Sequence, residues 1–282
     1  MSPTATLLAS LAQVPTQADM SQSEIFEEVI MGDSLLASSL YVNIALAGLT
    51  LLAIAYIAKD VSDPRAKLIV VSCMMISAVS ISSYTGLFSG MTISILEMPA
   101  GHALGGEEVV SLWGRYLTWA LSTPFILLAI GLVAGSNLTK IFTAIVFDVG
   151  IMITGLAAAL TTSSHALRWF WYFISVSFFL VVVYILLVEW PEDARQTGTE
   201  DIFNKLKILT VVLWFGYTIW WGVGNEGLAL IENVAITSWG YSAFDIVAKY
   251  AFTFLVVLYV VDEPDEVTAG EEWGMVPEPA DD

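Results

Sequence analysis

Apolar residues run in seven long blocks, at approximately 34–58, 66–90, 112–134, 140–162, 165–190, 203–224 and 238–261, and polar residues gather between them. Each block is long enough to cross about 30 Å of hydrocarbon as an α-helix. In lipid a helix satisfies its backbone within one segment. The pattern therefore predicts an all-α bundle of seven transmembrane helices. Most separators are short and carry turn chemistry: Asp63-Pro64, Gly135-Ser136-Asn137 and Gly224-Asn225-Glu226-Gly227. The separator after the second block is longer and holds Pro99, Gly101, Gly105 and Gly106, which predicts a small hairpin or surface cap. No tandem repeat and no second domain is visible. Residues 1–33 read as an extramembrane N-terminal segment, 34–262 as the transmembrane domain and 263–282 as an acidic tail. The run Thr4 to Val14 has a faint signal-peptide flavour but lacks a basic n-region, so trimming of the N-terminus stays open.

Composition agrees with a multi-pass membrane protein of the cell membrane. The hydrophobic share is 57% and charged residues make up only 13%, well off the balance of soluble domains. A net charge of −18 excludes a nucleic-acid surface and argues against a polybasic lipid patch. Cys73 is the single cysteine, so no intrachain disulfide forms, and within an apolar run it reads as a packing residue. Lys59, Arg65 and Lys67, then Lys140, then Arg195, Lys205 and Lys207 all fall on one side of a seven-helix topology. By the positive-inside rule the C-terminus is inside and the N-terminus outside. Arg168 lies near an outer helix end and is expected to snorkel or to pair at the interface. Arg115 and Lys249 need partners.

Lys249 sits near the middle of the last block, four residues after Asp245. A charge at that depth costs at least a few kcal/mol, so it faces the protein interior and marks function. The spacing places both side chains on one helix face. In the third block, Arg115, Thr118, Trp119 and Ser122 recur at i, i+3, i+4 and i+7, again one face. Ser or Thr alone would read as glue between helices. Arg115 on the same face turns the reading toward a site. The sixth block places Trp214, Tyr217 and Trp221 along one face, which is either core packing or a slot for a flat conjugated ligand. His102 lies in the second loop and His165 at an outer helix end, with no partner at metal-ligand spacing. Asp148 reads as an interhelical hydrogen-bonding group. No phosphate loop, nucleophile elbow or paired-carboxylate pattern points to an enzyme.

The seven helices, Asp245-x-x-x-Lys249, Arg115-Tyr-Leu-Thr-Trp119 and the Trp214/Tyr217/Trp221 stripe resemble the microbial rhodopsins. Ser38-Ser39-Leu40, Glu97-Met-Pro-Ala-Gly-His102, Trp113 to Pro124 and Thr154 to Thr161 are similar to the halorhodopsins of haloarchaea, which are light-driven inward chloride pumps. The resemblance covers about residues 34–262. It implies all-trans retinal bound at Lys249 as a protonated Schiff base, with Trp119, Thr154, Gly155, Ser175, Trp214, Tyr217 and Trp221 around it. It also implies a homotrimer among membrane lipids and leaves room for a carotenoid.

Thr118 decides the ion. Proton pumps of this family have an aspartate at that position and a carboxyl donor at the position of Ala129, and this chain has neither. With the linkage made, a protonated Schiff base and Arg115 face one carboxylate, the counterion Asp245. An uncompensated buried charge is expensive. A mobile anion would restore neutrality, with chloride the abundant candidate, Thr118 and Ser122 as hydroxyl donors and Arg115 as the field. Lys207 and Thr210 match the family's release path and read equally well as an ordinary basic flank. A photosensor signalling to a membrane transducer and an outward proton pump are the rivals, both opposed by Thr118. Thr218 in place of a proline, the extra Trp220 and Ile151 in place of a methionine depart from the family pattern. They leave absorption maximum and photocycle rate open, as anion selectivity is.

Overall fold

The computed structural model describes residues 20–268; Thr4 to Val14 and most of the acidic tail lie outside them. A short helix, α1 (Gln22–Glu24), runs into a π turn (Ile25–Ile30). Seven long apolar helices follow: α2 (Ser34–Ile57), α3 (Pro64–Phe88), α4 (Gly114–Val133), α5 (Leu138–Leu160), α6 (His165–Thr197), α7 (Glu200–Val223) and α8 (Val234–Asp262). Between α3 and α4 lies an antiparallel hairpin of β1 (Ser94–Glu97) and β2 (Glu108–Ser111), the cap expected from that long separator. A five-residue helix, α9 (Pro264–Thr268), closes the described chain.

The turn residues mark where helices begin. Asp33, Asp63, Asn137, Ser164 and Asn233 each accept a backbone N–H of the first turn of α2, α3, α5, α6 and α8. Each such cap satisfies an orphan donor and contributes about 1 kcal/mol. The last carbonyls of α4 are satisfied from outside the helix. Arg65 Nη2 donates to Leu132 O at 3.0 Å, Thr199 Oγ1 to Val133 O at 2.7 Å and Thr197 Oγ1 to Ala134 O at 3.3 Å. At Gly135 the chain turns with φ +69°, and a Cβ there would sit 2.2 Å from Thr197 Cγ2.

α4 is the most enclosed span, with 67% of its apolar window buried. It therefore carries the residues that face the interior: Arg115, Thr118, Trp119 and Ser122 are all buried. Asp148 of α5 accepts from Thr123 Oγ1 of α4 at 2.6 Å, an interhelical bond as read from the sequence. Cys73 is buried in the main apolar core.

Arg168 corrects the sequence reading. It does not snorkel; it is fully buried at the start of α6. Its Nη1 donates to Ala159 O and Thr161 O, and its Nε to Glu226 O at 2.7 Å. It ties the end of α5 to the loop before α8, because carbonyls at a buried helix end need donors. On the same side His102 and His165 pack edge to face, 5.6 Å between centroids. Burial, with Arg168 and His165 nearby, pushes the His102 imidazole below its usual pKa.

Candidate functional site

α8 is not a plain α-helix. It widens into a π turn over Ile246–Ala251, with Asp245 at its start and Lys249 inside it. π turns inside α-helices frequently mark functional sites. Lys249 Nζ lies 3.0 Å from Asp245 Oδ2, and both side chains are 1% exposed. The two form a buried ion pair. The carboxylate is already served by three neutral donors. Tyr84 Oη of α3 reaches Oδ2 at 2.5 Å, Tyr217 Oη of α7 reaches Oδ1 at 2.5 Å, and Trp119 Nε1 of α4 reaches Oδ1 at 3.2 Å.

Arg115 is anchored one layer nearer the hairpin. Its Nη1 donates to Tyr84 Oη at 3.2 Å, and its Nη2 to Ser238 Oγ at 2.5 Å and Ser238 O at 3.1 Å. Its guanidinium also lies 5.3 Å from the Tyr241 ring centroid. Ser39, in the Ser38-Ser39-Leu40 stretch, shares a 2.5 Å hydroxyl contact with Ser238.

The two hydroxyls on α4 differ. Thr118 Oγ1 donates to Gly114 O at 3.1 Å, so its proton is engaged with its own helix. Ser122 Oγ is fully buried without a protein partner, and so is Arg115 Nε. Ser122 is therefore the freer hydroxyl donor. A buried donor without a protein partner is costly unless something else accepts from it.

On the other side of Trp119 lies an apolar cleft walled mainly by aromatic and aliphatic side chains. Lys249 and Ala248 open onto it, and Trp119, Gly155, Ser175, Trp214, Tyr217 and Trp221 are among the residues that line it. Thr154 does not line it, since its hydroxyl turns back onto Gly150 O and Ile151 O. Ile151 does, together with Met152, so a methionine reaches the wall one residue on. A Cβ on Gly155 would lie 3.2 Å from Tyr116 Cε1, so the glycine lets the wall close in at that point. Lys207 and Thr210 stand apart at the far end of α7: Lys207 Nζ donates to Asn204 Oδ1 at 2.6 Å, and Thr210 is buried.

Sequence reasoning missed Tyr84, Ser238, Tyr116 and Glu226. Glu226 accepts from Ser111 Oγ at 2.7 Å and Tyr116 Oη at 3.3 Å, and shares a small polar recess with Arg115, Asn225, Thr237 and Ser238. A face was legible for Tyr84: Ser77, Ser80 and Tyr84 recur at helical spacing in α3. Glu226 meets the cation Arg168 through its backbone carbonyl. Lys249, Arg115 and Arg168 thus face two carboxylates, Asp245 and Glu226, and one positive charge is left over. Asp148 is a third buried carboxyl, but its partner is the Thr123 hydroxyl and no cation touches it among the described residues.

A family model described as bacteriorhodopsin-like protein matches residues 34–263. The halorhodopsin of Halobacterium sp. (strain SG1) is 65% identical over 86% of this chain and 85% of its own. That of Halorubrum sodomense is 60% identical over 94% of this chain and 93% of its own. The solved structure described as "Halorhodopsin, a light-driven chloride pump" superposes with a TM-score of 0.82 at 52% identity, covering 83% of this chain and 98% of that one.

Proposed function

The chain belongs to the bacteriorhodopsin-like family and, within it, to the halorhodopsins, and from that footing we propose that it is a light-driven inward chloride pump with all-trans retinal covalently bound at Lys249. It is a transporter rather than an enzyme, and the family implies a homotrimer as its assembly. The cleft fits the group: its walls are apolar and aromatic, and a buried amine opens onto it. Trp119, Trp214, Tyr217 and Trp221 would hold a flat chain between them, with Gly155 and Ser175 farther along the walls. Joined to Lys249 as a protonated Schiff base, retinal would supply light absorption and an isomerisation that re-aims the Schiff-base N–H.

The observation that carries the anion reading is the surplus positive charge. Lys249 and Arg115 are both buried cations, and the α4 face that carries Arg115 offers Thr118 and Ser122 and no carboxylate. Chloride there supplies the missing negative charge and accepts from Ser122, while the Arg115 guanidinium holds it electrostatically. Asp245 cannot take the anion's place, because its two oxygens are pinned by Tyr84, Tyr217 and Trp119. No carboxylate on α4 stands ready to take a proton, and Ala129 is buried and apolar where a proton donor would stand. The cation therefore keeps its proton and the anion moves instead, leaving toward Lys207 and Thr210. The side rich in lysine and arginine makes that direction inward.

The test is illumination of a vesicle or cell suspension containing the pigment. A chloride pump gives passive proton uptake that grows with a protonophore and disappears when sulfate replaces chloride. Acidification abolished by the protonophore would identify a proton pump, and absence of any light-driven current a sensor.

Ser122→Ala tests the free hydroxyl. Losing one hydrogen bond to a charged group costs about 1.5–3 kcal/mol, so halide affinity falls roughly ten- to a hundredfold. The pigment itself still forms. Spectral titration with chloride reads the change, and an unaltered affinity would remove Ser122 from the anion site.

A further inference from the structure

Trp220 takes no part in the anion chemistry above, yet it is built closely into α8. Its indole lies against the backbone at Gly240, where a Cβ would sit 2.1 Å from Trp220 Cε2. Its Nε1 donates to Thr237 O at 3.0 Å. Four residues earlier in α7, Gly216 receives the Phe244 ring of α8, with a Cβ there 3.2 Å from Phe244 Cζ. The Trp220 and Phe244 rings meet edge to face at 6.1 Å and 89°. Each helix thus gives the other one aromatic and takes one in return at a glycine. Thr218 leaves α7 a continuous helix from Glu200 to Val223, which keeps Gly216 and Trp220 on one face, a turn apart. In lipid, helices gain little from hydrophobic contact, so close approach at small residues and side-chain hydrogen bonds hold them together.

The carbonyl held by Trp220 belongs to the residue before Ser238, whose carbonyl and hydroxyl receive Arg115 Nη2. We propose that Trp220 is a positioning residue of the anion site. With Gly240 it fixes the Thr237–Ser238 turn against α7, and so sets where the Arg115 charge sits. The proposal rests on the reading of the Arg115–Ser122 face as a halide site.

Spectral titration with chloride on the full-length, retinal-reconstituted pigment tests it. Trp220→Phe keeps an aromatic ring on Gly240 and loses the N–H. Halide affinity is expected to fall about two- to tenfold, the size of one neutral hydrogen bond, while the bleaching temperature stays near that of the unmodified pigment. Ser238→Ala weakens affinity too, and the double variant loses little beyond it, because both act on one turn. Gly240→Ala pushes the indole off its seat and weakens halide binding. Adding Trp220→Leu recovers bleaching temperature but not affinity. Should Trp220→Phe give no pigment, Gly240→Ala, which keeps the indole, reads the same affinity. Unchanged affinity in either variant, or fully multiplicative effects of Trp220→Phe and Ser238→Ala, would overturn the positioning role. An unmodified pigment with no halide response would overturn the halide reading itself, and the proposal with it.

Discussion

Thr118→Asp is expected to weaken halide binding about a thousandfold, since two like charges some 4 Å apart repel by about 4 kcal/mol at the effective dielectric of a protein site. Position 118 is 1% exposed, so little solvent screening softens that repulsion. The substitution works through charge balance. It supplies on α4 the negative charge that the surplus cation otherwise draws from solution, and the incoming anion then becomes the uncompensated charge. Two readouts follow. The halide-dependent shift of the absorption band should vanish at chloride concentrations that saturate the unmodified pigment. A proton acceptor now stands on α4 near Lys249, so illumination of vesicles should produce acidification that a protonophore abolishes. A halide-dependent shift that survived unchanged would show that neutrality is not what holds the anion.

Lys249→Ala is expected to abolish the covalent pigment, leaving no visible band after all-trans retinal is added. The apoprotein should still fold. Removing one partner of a buried ion pair usually costs about 3–5 kcal/mol, because a charge is stranded. Here Asp245 keeps the Tyr84, Tyr217 and Trp119 donors, which moderate that cost. Adding Asp245→Asn removes the stranded charge and should recover thermal stability without recovering colour. Borohydride reduction of the unmodified pigment followed by peptide mass analysis should place the retinyl group on the Lys249 peptide. A visible, reducible adduct in Lys249→Ala would move the attachment elsewhere.

Some of this site could be read directly from residue order. The apolar blocks predict the spans to within a few residues at most ends, and turn residues such as Asp63 and Asn137 stand where helices start. Lys249 and Asp245 are conspicuous because apolar neighbours surround them. The face of α4 follows from helical spacing alone. Partners chosen across helices were not legible, since each depends on how one helix is rotated against the next. Tyr84 and Tyr217 meet Asp245 from different helices, 161 and 28 residues away along the chain. The local bond from Thr118 to Gly114 was equally hidden, because a hydroxyl on a helix can point outward or back to its own carbonyls. Arg168 misled because a cation at a block edge resembles an interfacial anchor. The unpaired carbonyls at the end of α5 that draw it inward have no signature in residue type.

The wide turn around Lys249 has a mechanical meaning. A π turn bonds each N–H one residue further back than an α turn does, so Ile246–Ala251 stores a spare residue within a helix whose two ends are held elsewhere. At one end Asn233 caps the first turn, and at the other Val256, Val257 and Val260 are locked into the core. The spare residue is slack, and it sits at the one point along α8 where the lysine projects. The wide turn thus falls where α8 carries Lys249 beside Asp245, between two ends fixed by their own contacts.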